Sequence, residues 1–194
     1  LYFHVIPSPA TVFKGVHRLP PGHCATFRDG KLNVQPYWRP QFQSTPRASF
    51  DERRATFRDL LRQAVAAELD GGKAGCYLSG GTDSSTVAGM TKQLAGRAAT
   101  YSIGFEAEGY DEMQFARIAA KRFGTEHHEY YVTPDDLVRG IPNIAASFDQ
   151  PFGNSSVVPA YYCARMARDA GIDTMLAGDG GDEHFAGYRR YRWF

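Results

Sequence analysis

The period of the hydrophobic positions changes near residue 50. Before it, the chain is rich in Pro, Gly and aromatic residues, and its clearest signal is the run 25–34, ATFRDGKLNV, in which apolar and polar residues alternate around an Asp29-Gly30 turn. That pattern predicts a β-hairpin. Residues 41–50, QFQSTPRASF, are polar, contain Pro46 and have little periodicity, as a linker does. From Phe50 onward, Phe57, Leu60, Leu61, Ala64, Val65 and Leu69 recur at helical spacing, with Arg53, Arg54, Arg58 and Arg62 off that stripe. The spacing predicts an amphipathic helix, stopped at Gly71-Gly72.

Beyond the glycines the pattern alternates. AGCYL reads as a short buried strand, STVAGMTKQLA as a helix, ATYSIGF as a second strand, and DEMQFARIAAKRF as a helix that Gly124 would stop. HHEYYV follows as a strand, Pro134 to Ala146 as a helix, VVPAYYCARMARDAG as another helix, and IDTMLAG as a last strand. Strands that alternate with helices of this length imply right-handed crossovers, so the fold class is α/β, a parallel sheet with helices on both faces preceded by a short β-rich segment. In such sheets ligands bind beyond the carboxyl ends of the strands, which directs attention to the loops after Leu78, Phe105, Val132 and Gly178.

Composition narrows the function classes. Lys plus Arg total 22 against 21 Asp plus Glu, and a net charge of +1 gives no long-range attraction for nucleic acid or an anionic membrane. No stretch approaches the roughly 20 apolar residues that cross a bilayer, and the first residues do not read as a signal peptide. Cys24, Cys76 and Cys163 are odd in number and far apart, which argues against a disulfide framework or a zinc knuckle and for a reducing cytoplasm. His127 and His128 fall on opposite faces of a predicted strand and cannot share a metal, and Cys76 reads as core rather than nucleophile. The tail from Tyr188 to Arg192 mixes Tyr and Arg, but five residues make a weak nucleic-acid patch.

Chemistry is concentrated in two segments. SGGTDSS, Ser79 to Ser85, follows a strand and opens a helix. Gly80 and Gly81 remove side chains so that backbone N–H groups can approach an anion; Ser79, Thr82, Ser84 and Ser85 add hydroxyls, and the helix N-terminus adds its positive end. Asp83 is out of place beside phosphate unless a divalent cation lies between the two. No lysine follows the glycines, so this is not a P-loop of the G-x-x-x-x-G-K-[ST] type. The second segment, AGDGGDEHFAGY, Ala177 to Tyr188, again follows a strand and sets Asp179, Asp182 and Glu183 among glycines, without the spacing of an EF-hand.

The first segment resembles the SGG-x-DS signature of the PP-loop ATP pyrophosphatases, an adenine nucleotide α-hydrolase-like fold. The second resembles the G-[ED]-x-x-DE-x-F-x-GY motif of the glutamine-hydrolysing asparagine synthetase family. Leu-Pro-Pro-Gly-His at 19–23 and Tyr37-Trp38 are similar to the end of that family's glutaminase domain, and 101–130 to the second strand and helix of its synthetase domain. The resemblance implies three parts: the end of a glutaminase domain at 1–40, a linker at 41–49, and an ATP-binding synthetase domain at 50–194. It implies that ATP is held by Ser79, Gly80, Gly81, Asp83, Ser84 and Ser85, with adenine read by backbone at Leu78, Ile103, Ala177 and Gly178. By the same resemblance Asp83 and Asp182 would hold Mg2+, and Asp179 would be the acid needed to form the acyl-adenylate.

The activity so implied is adenylation of a carboxylate, that of aspartate in the parent family, followed by attack of glutamine-derived ammonia. The partners would be small molecules, with no nucleic acid and no membrane, and the full-length enzyme would be a candidate homodimer. Three departures matter: the cysteine nucleophile that opens the family's glutaminase and its later lysine fall outside these residues, and the loop 148–162 lacks an Arg that the family carries at the substrate. The 194 residues alone are therefore expected to be inactive. Two alternatives stand beside this reading: an amidotransferase or β-lactam-type synthetase for another acceptor, and a non-catalytic nucleotide-binding module.

Overall fold

A computed structural model describes residues 4–41, 48–69, 72–106, 111–151, 153–189 and 191. The chain opens with an antiparallel hairpin, β1 (His23–Arg28) and β2 (Lys31–Pro36), turning at Asp29-Gly30 as its alternation predicts; both turn residues have positive φ, 51° and 76°. The mouth of the hairpin is closed by the Leu-Pro-Pro-Gly-His segment. The N–H groups of Tyr37 and Trp38 both donate to the Gly22 carbonyl, at 2.9 and 3.1 Å, and a Cβ on Gly22 would lie 2.5 Å from the Trp38 carbonyl oxygen. Most of the expected linker, with Gly71 of the expected helix stop, lies outside the described residues.

Helix α1 (Phe50–Glu68) starts at a capping box, in which Ser49 and Glu52 satisfy each other's backbone N–H. Val65 is buried, with Leu61 and Leu69 packed beside it, while Phe57 and Leu60 from the same stripe remain exposed. Then come β3 (Ala74–Tyr77), α2 (Thr82–Ala95), β4 (Ala99–Phe105), α3 (Met113–Phe123), β5 (Glu126–Val132), α4 (Pro134–Ala146), α5 (Val157–Asp169), β6 (Thr174–Leu176) and α6 (Gly181–Phe185). Gly96 and Gly124 end α2 and α3 in the left-handed region, φ 71° and 63°, where a glycine avoids the Cβ penalty.

β3 to β6 form one parallel sheet in the order β5-β4-β3-β6. The chain steps outward from β3 to β4 to β5 through α2 and α3, then returns through α4 and α5 to lay β6 on the other side of β3. The alternation of side chains along each strand separates two cores. Cys76 and Leu78 point with Val65, Val87, Met113 and Ala116 into the layer under α1, α2 and α3. Tyr77, Tyr101 and Ile103 point into a second layer with Cys163 and Ala167 of α5. The sheet is thus covered on both faces, as the alternating pattern implies. Two expectations need correction. The segment after Gly178 is not all loop, since Gly181–Phe185 forms a helical turn. The loop after Val132 lies on the outer strand and serves to start α4, through a capping box between Thr133 and Asp136.

His127 and His128 face opposite sides of β5, as their strand position requires. His128 stacks on Tyr101 with ring centroids 4.8 Å apart. His127 Nδ1 lies 3.0 Å from Thr100 Oγ1, and its Nε2 is buried 3.5 Å from Glu129, whose carboxylate already accepts two bonds from Arg117 at 2.8 and 2.6 Å. Burial, opposed by the Glu129 charge, holds His127 below the usual histidine range. In the unfolded chain it takes up a proton near its ordinary value of 6.5, whereas in the fold it does so only at lower pH. Stability is therefore full above pH 6.5 and declines as pH falls toward the folded value. The wild type is expected to lose urea midpoint between pH 7 and pH 5, and His127→Gln to flatten that decline; equal pH slopes in the two proteins would refute the assignment.

Candidate active site

The reversal of strand order beside β3 places the segments that follow β3 and β6 next to each other, and a cavity of about 700 Å3 opens there, across the carboxyl ends of β3, β4 and β6. The two segments touch through glycine. A Cβ on Gly178 would lie 2.7 Å from the Asp83 carbonyl carbon and 2.8 Å from the Ser84 nitrogen, and one on Gly181 would lie 2.3 Å from the Asp83 carboxylate. These two glycines permit loop to approach loop, a constraint that the sequence alone does not show. Gly80 has a packing duty too: its φ is 84°, and a Cβ there would lie 2.3 Å from the Phe115 carbonyl carbon, so it seats the loop on the first turn of α3. Gly81 alone matches the cradle reading, since the Ser79 hydroxyl at 3.3 Å is the one atom a Cβ there would meet.

The polar groups of this loop hold each other. Ser79 Oγ and Ser84 Oγ are 3.0 Å apart, the Ser79 N–H donates to Ser84 Oγ at 3.2 Å, and the Gly81 N–H donates to Ser79 Oγ at 3.3 Å. Gly81 is the N-cap of α2 and supplies no side chain to it, so the first-turn N–H groups have no side-chain acceptor and remain available to an anion. Ser85 Oγ is buried without a hydrogen-bond partner among the described residues. Loop geometry of this kind fits a phosphate chain, with donors directed inward and a gap that a single side chain would fill.

Of the predicted site residues, Leu78, Ser79, Asp83, Ser84, Ile103, Ala177, Gly178, Asp179 and Asp182 line the cavity; Gly80, Gly81 and Ser85 do not. The Leu78 N–H is engaged by the Tyr101 carbonyl at 3.0 Å and its carbonyl accepts from the Ser102 hydroxyl, which leaves one carbonyl lone pair for a ligand. Ile103 is placed differently. The Tyr101 carbonyl points toward β3, so two residues on, the Ile103 N–H and C=O point the same way, into the space beyond the end of β3 at Tyr77. An adjacent donor and acceptor on one free strand edge can read a planar heterocycle.

Electrostatics sets the second requirement. Asp83, Asp179, Asp182 and Glu112 all line the cavity, and no Lys, Arg or His does so among the described residues. The Asp83 carboxylate rests on Gly181 and that of Asp182 on Gly187, where a Cβ would come within 1.8 Å of it. A polyphosphate would be repelled here unless a cation came with it. No group of three or more His, Cys, Asp and Glu capable of holding a metal occurs among the described residues. Mg2+ ordinarily takes one or two carboxylates and completes its shell with phosphate oxygens and water, and the acids that line this cavity are of that kind. Glu112, Ser102 and Tyr77 were missed from the sequence. Glu112 carried a signal, an acid at the start of the helix that follows β4; the other two are indistinguishable from ordinary strand residues until the register is known. Burial first, and then the charges of Cys163 and Asp179, push the Tyr77 phenol up.

Residues 56–193 match the sequence profile of the family described as asparagine synthase. The chain is 33% identical over 195 residues to a putative glutamine-hydrolyzing asparagine synthetase of Mycobacterium tuberculosis, covering 96% of this chain and 29% of that protein. It is 30% identical over 192 residues to glutamine-hydrolyzing asparagine synthetase 1 of Bacillus subtilis, covering 98% and 30%. It is also 30% identical over 202 residues to amidase chry2 of Gibberella zeae, covering 94% and 30%. The chain spans about three tenths of the length of these curated relatives.

The different duties of the two adjacent glycines can be separated by stability. Gly80→Ala forces a side chain into the left-handed region and into the backbone of α3, and is expected to cost on the order of 2–4 kcal/mol in urea unfolding. Gly81→Ala meets only a rotatable hydroxyl and is expected to stay within about 1 kcal/mol of wild type. Equal losses at the two positions would be incompatible with these separate roles.

Proposed function

Because the chain belongs to the asparagine synthase family, we propose that it is the ATP-binding part of an ATP-dependent amide-forming ligase. The observation that carries this reading is the meeting of the Ser79–Ser85 and Ala177–Tyr188 segments over one cavity, joined where Gly178 packs on Asp83. The backbone edge at Ile103, with the free lone pair of Leu78 and the Ala177-Gly178 turn, would bind adenosine. The Gly81 gap and the first turn of α2 would take the pyrophosphate, with Ser79 and Ser84 exchanging their internal hydrogen bonds for phosphate oxygens and Ser85, unpartnered among the described residues, gaining one. Asp83 and Asp182 would hold Mg2+, which supplies positive charge to the polyphosphate when bound.

An acceptor carboxylate oxygen, aligned against the α-phosphorus, forms a bond to it as the bond to the β-phosphate oxygen breaks, and pyrophosphate leaves into the Ser79–Ser85 loop. Ammonia then attacks the acyl carbon and AMP departs. The protein acts by positioning and by donors placed where charge develops. Asp179, at the mouth of β6 and close enough for its charge to act on the Tyr77 phenol, would orient the acceptor at the acyl-adenylate stage. Residues 1–40 would be the end of a glutaminase domain that supplies ammonia, and the free Cys24, Cys76 and Cys163 suit a reducing cytoplasm. No helix among the described residues is long and apolar enough to cross a membrane.

One observation favours a second reading of the acceptor. The cavity wall opposite the Ser79 loop is apolar, built from Phe148, Val157, Pro159 and Ala160. An acceptor with a hydrocarbon body would fit that wall better than free aspartate, and the amidase relative is consistent with a family whose members carry different names.

ATP–pyrophosphate exchange by the full-length protein tests the site, with candidate carboxylates screened for pyrophosphate release. Gly81→Val should stay folded and lose ATP binding, because its side chain would fill the phosphate gap; normal ATP affinity in the folded variant would exclude the cradle. Asp83→Asn and Asp182→Asn should each lower exchange by at least about 100-fold and raise the Mg2+ concentration needed for ATP binding. Asp179→Asn should suppress exchange without moving that Mg2+ dependence. An Asp182→Asn enzyme with normal exchange would remove the basis for the metal assignment.

A further inference from the structure

A second cavity, of about 480 Å3, lies at the opposite end of the sheet, among the amino ends of β3, β4 and β5. The proposed chemistry at the carboxyl ends makes no use of it. Its most informative wall residue is Tyr101, which is 1% exposed and lies flat against the His128 ring. The Tyr101 hydroxyl makes no hydrogen bond among the described residues and is not one of their buried unpartnered polar atoms, so it keeps access to solvent. Tyr101 and Glu126 line the same cavity, and burial, then the Glu126 carboxylate, push this phenol up.

The rim carries both signs of charge. Glu126 lies 3.5 Å from His128 Nε2, and Lys73 and Arg97 form no ion pair among the described residues although both line the cavity. Three helices also end here: Leu69 caps α1, Ala95 is the last residue of α2, and Ala170 caps α5. Helix C-termini present carbonyl oxygens and the negative end of the helix dipole, which attract an ammonium group and disfavour a polyanion such as a nucleotide. A divalent cation would find one carboxylate beside two fixed cations, an unsuitable shell. A molecule bearing one ammonium and one carboxylate on a small frame satisfies every part of the wall.

We propose that this cavity is a second ligand site that takes a free α-amino acid as its zwitterion, the ammonium directed to Glu126 and the helix carbonyls, the carboxylate to Lys73, Arg97 and the Tyr101 hydroxyl. Because Tyr101 also lines the nucleotide cavity, and its carbonyl holds the Leu78 N–H at the end of β3, an occupant would touch the strand that connects the two sites.

Calorimetric or NMR titration of the full-length protein with each standard amino acid, and with ATP and inorganic phosphate as comparison probes, tests the site. At least one amino acid is expected to bind saturably in the millimolar range. Arg97→Ala, Glu126→Gln and Tyr101→Phe should each weaken it about tenfold, the scale of one charge-assisted hydrogen bond, while Asp182→Asn in the upper cavity leaves it unchanged. Arg97→Ala and Glu126→Gln alter exposed side chains, so they keep the test valid if Tyr101→Phe fails to fold. Absence of amino-acid binding, binding indifferent to Arg97→Ala and Glu126→Gln, or binding abolished by Asp182→Asn would each overturn the proposal; the last would place the amino acid at the acceptor position of the upper cavity.

Discussion

The arrangement of this protein depends on one close approach, that of Gly178 and Gly181 to the first turn of α2 at Asp83 and Ser84. No side chain fits between them, since a Cβ at either glycine would come within 3 Å of Asp83. The contact exists because the chain builds the sheet outward from β3 in one direction and then returns to lay β6 on the other side. At that reversal α2, which leaves β3, and α5, which leads into β6, pack on opposite faces of the sheet, and the ends of the two strands lie side by side. Any larger residue at 178 or 181 would part the two loops, and the acids carried on them would no longer line one space.

The strands themselves prepare the cavity floor. β3 stops at Tyr77, while β4, paired with β5 along its whole length, continues to Phe105. The difference in length leaves the backbone of Ile103 facing open space, a free edge that a longer β3 would have covered. Ser102 contributes by holding the Leu78 carbonyl from below, so the chain leaves β3 at a defined angle before it turns through Gly80. Packing and recognition are thus linked through main-chain geometry, and the side chains beneath, Cys76, Leu78 and Met113, need only fill volume.

Much of this was legible in the sequence because local rules and tertiary structure agree. Pro134, with Thr133 before it and Asp136 three residues after the cap, spells the start of α4, and Gly96 and Gly124 mark the ends of α2 and α3. The alternation of strand and helix periods implied the parallel sheet, and the two glycine-rich segments it marked out meet at one cavity. What could not be read was the object each glycine approaches. Gly80 and Gly81 are neighbours of identical chemistry, yet a side chain on one would meet the backbone of α3, 35 residues away in sequence at Phe115, and on the other only the Ser79 hydroxyl. That distinction arises only from packing. The same holds for Phe57 and Leu60, which belong to the α1 stripe by spacing but remain exposed, with Phe57 in edge contact with Phe185 of α6 at 5.3 Å. The helical turn of α6 was hidden because glycines at 180 and 181 read as loop, whereas Gly180 with φ 95° is the residue that lets the turn begin.

Charge explains why such a site is built on main chain rather than on long side chains. Four carboxylates share a cavity without a lysine, arginine or histidine among the described residues that line it. Had the fold neutralised them with resident cations, a phosphate chain and its Mg2+ would have to compete with those cations for the same acids, and binding would gain little charge stabilisation. Glycine contacts hold the acids in place without neutralising them: Asp83 is fixed by its backbone against Gly178 and its carboxylate against Gly181, and Asp182 is held against Gly187. Their mutual repulsion is moderated by water in the open cavity. It would turn into attraction if a cation and polyphosphate entered together, as proposed. The cost falls on the ligand-free protein, and the gain would appear in the complex, a distribution that suits the proposed binding of ATP and Mg2+ as a unit.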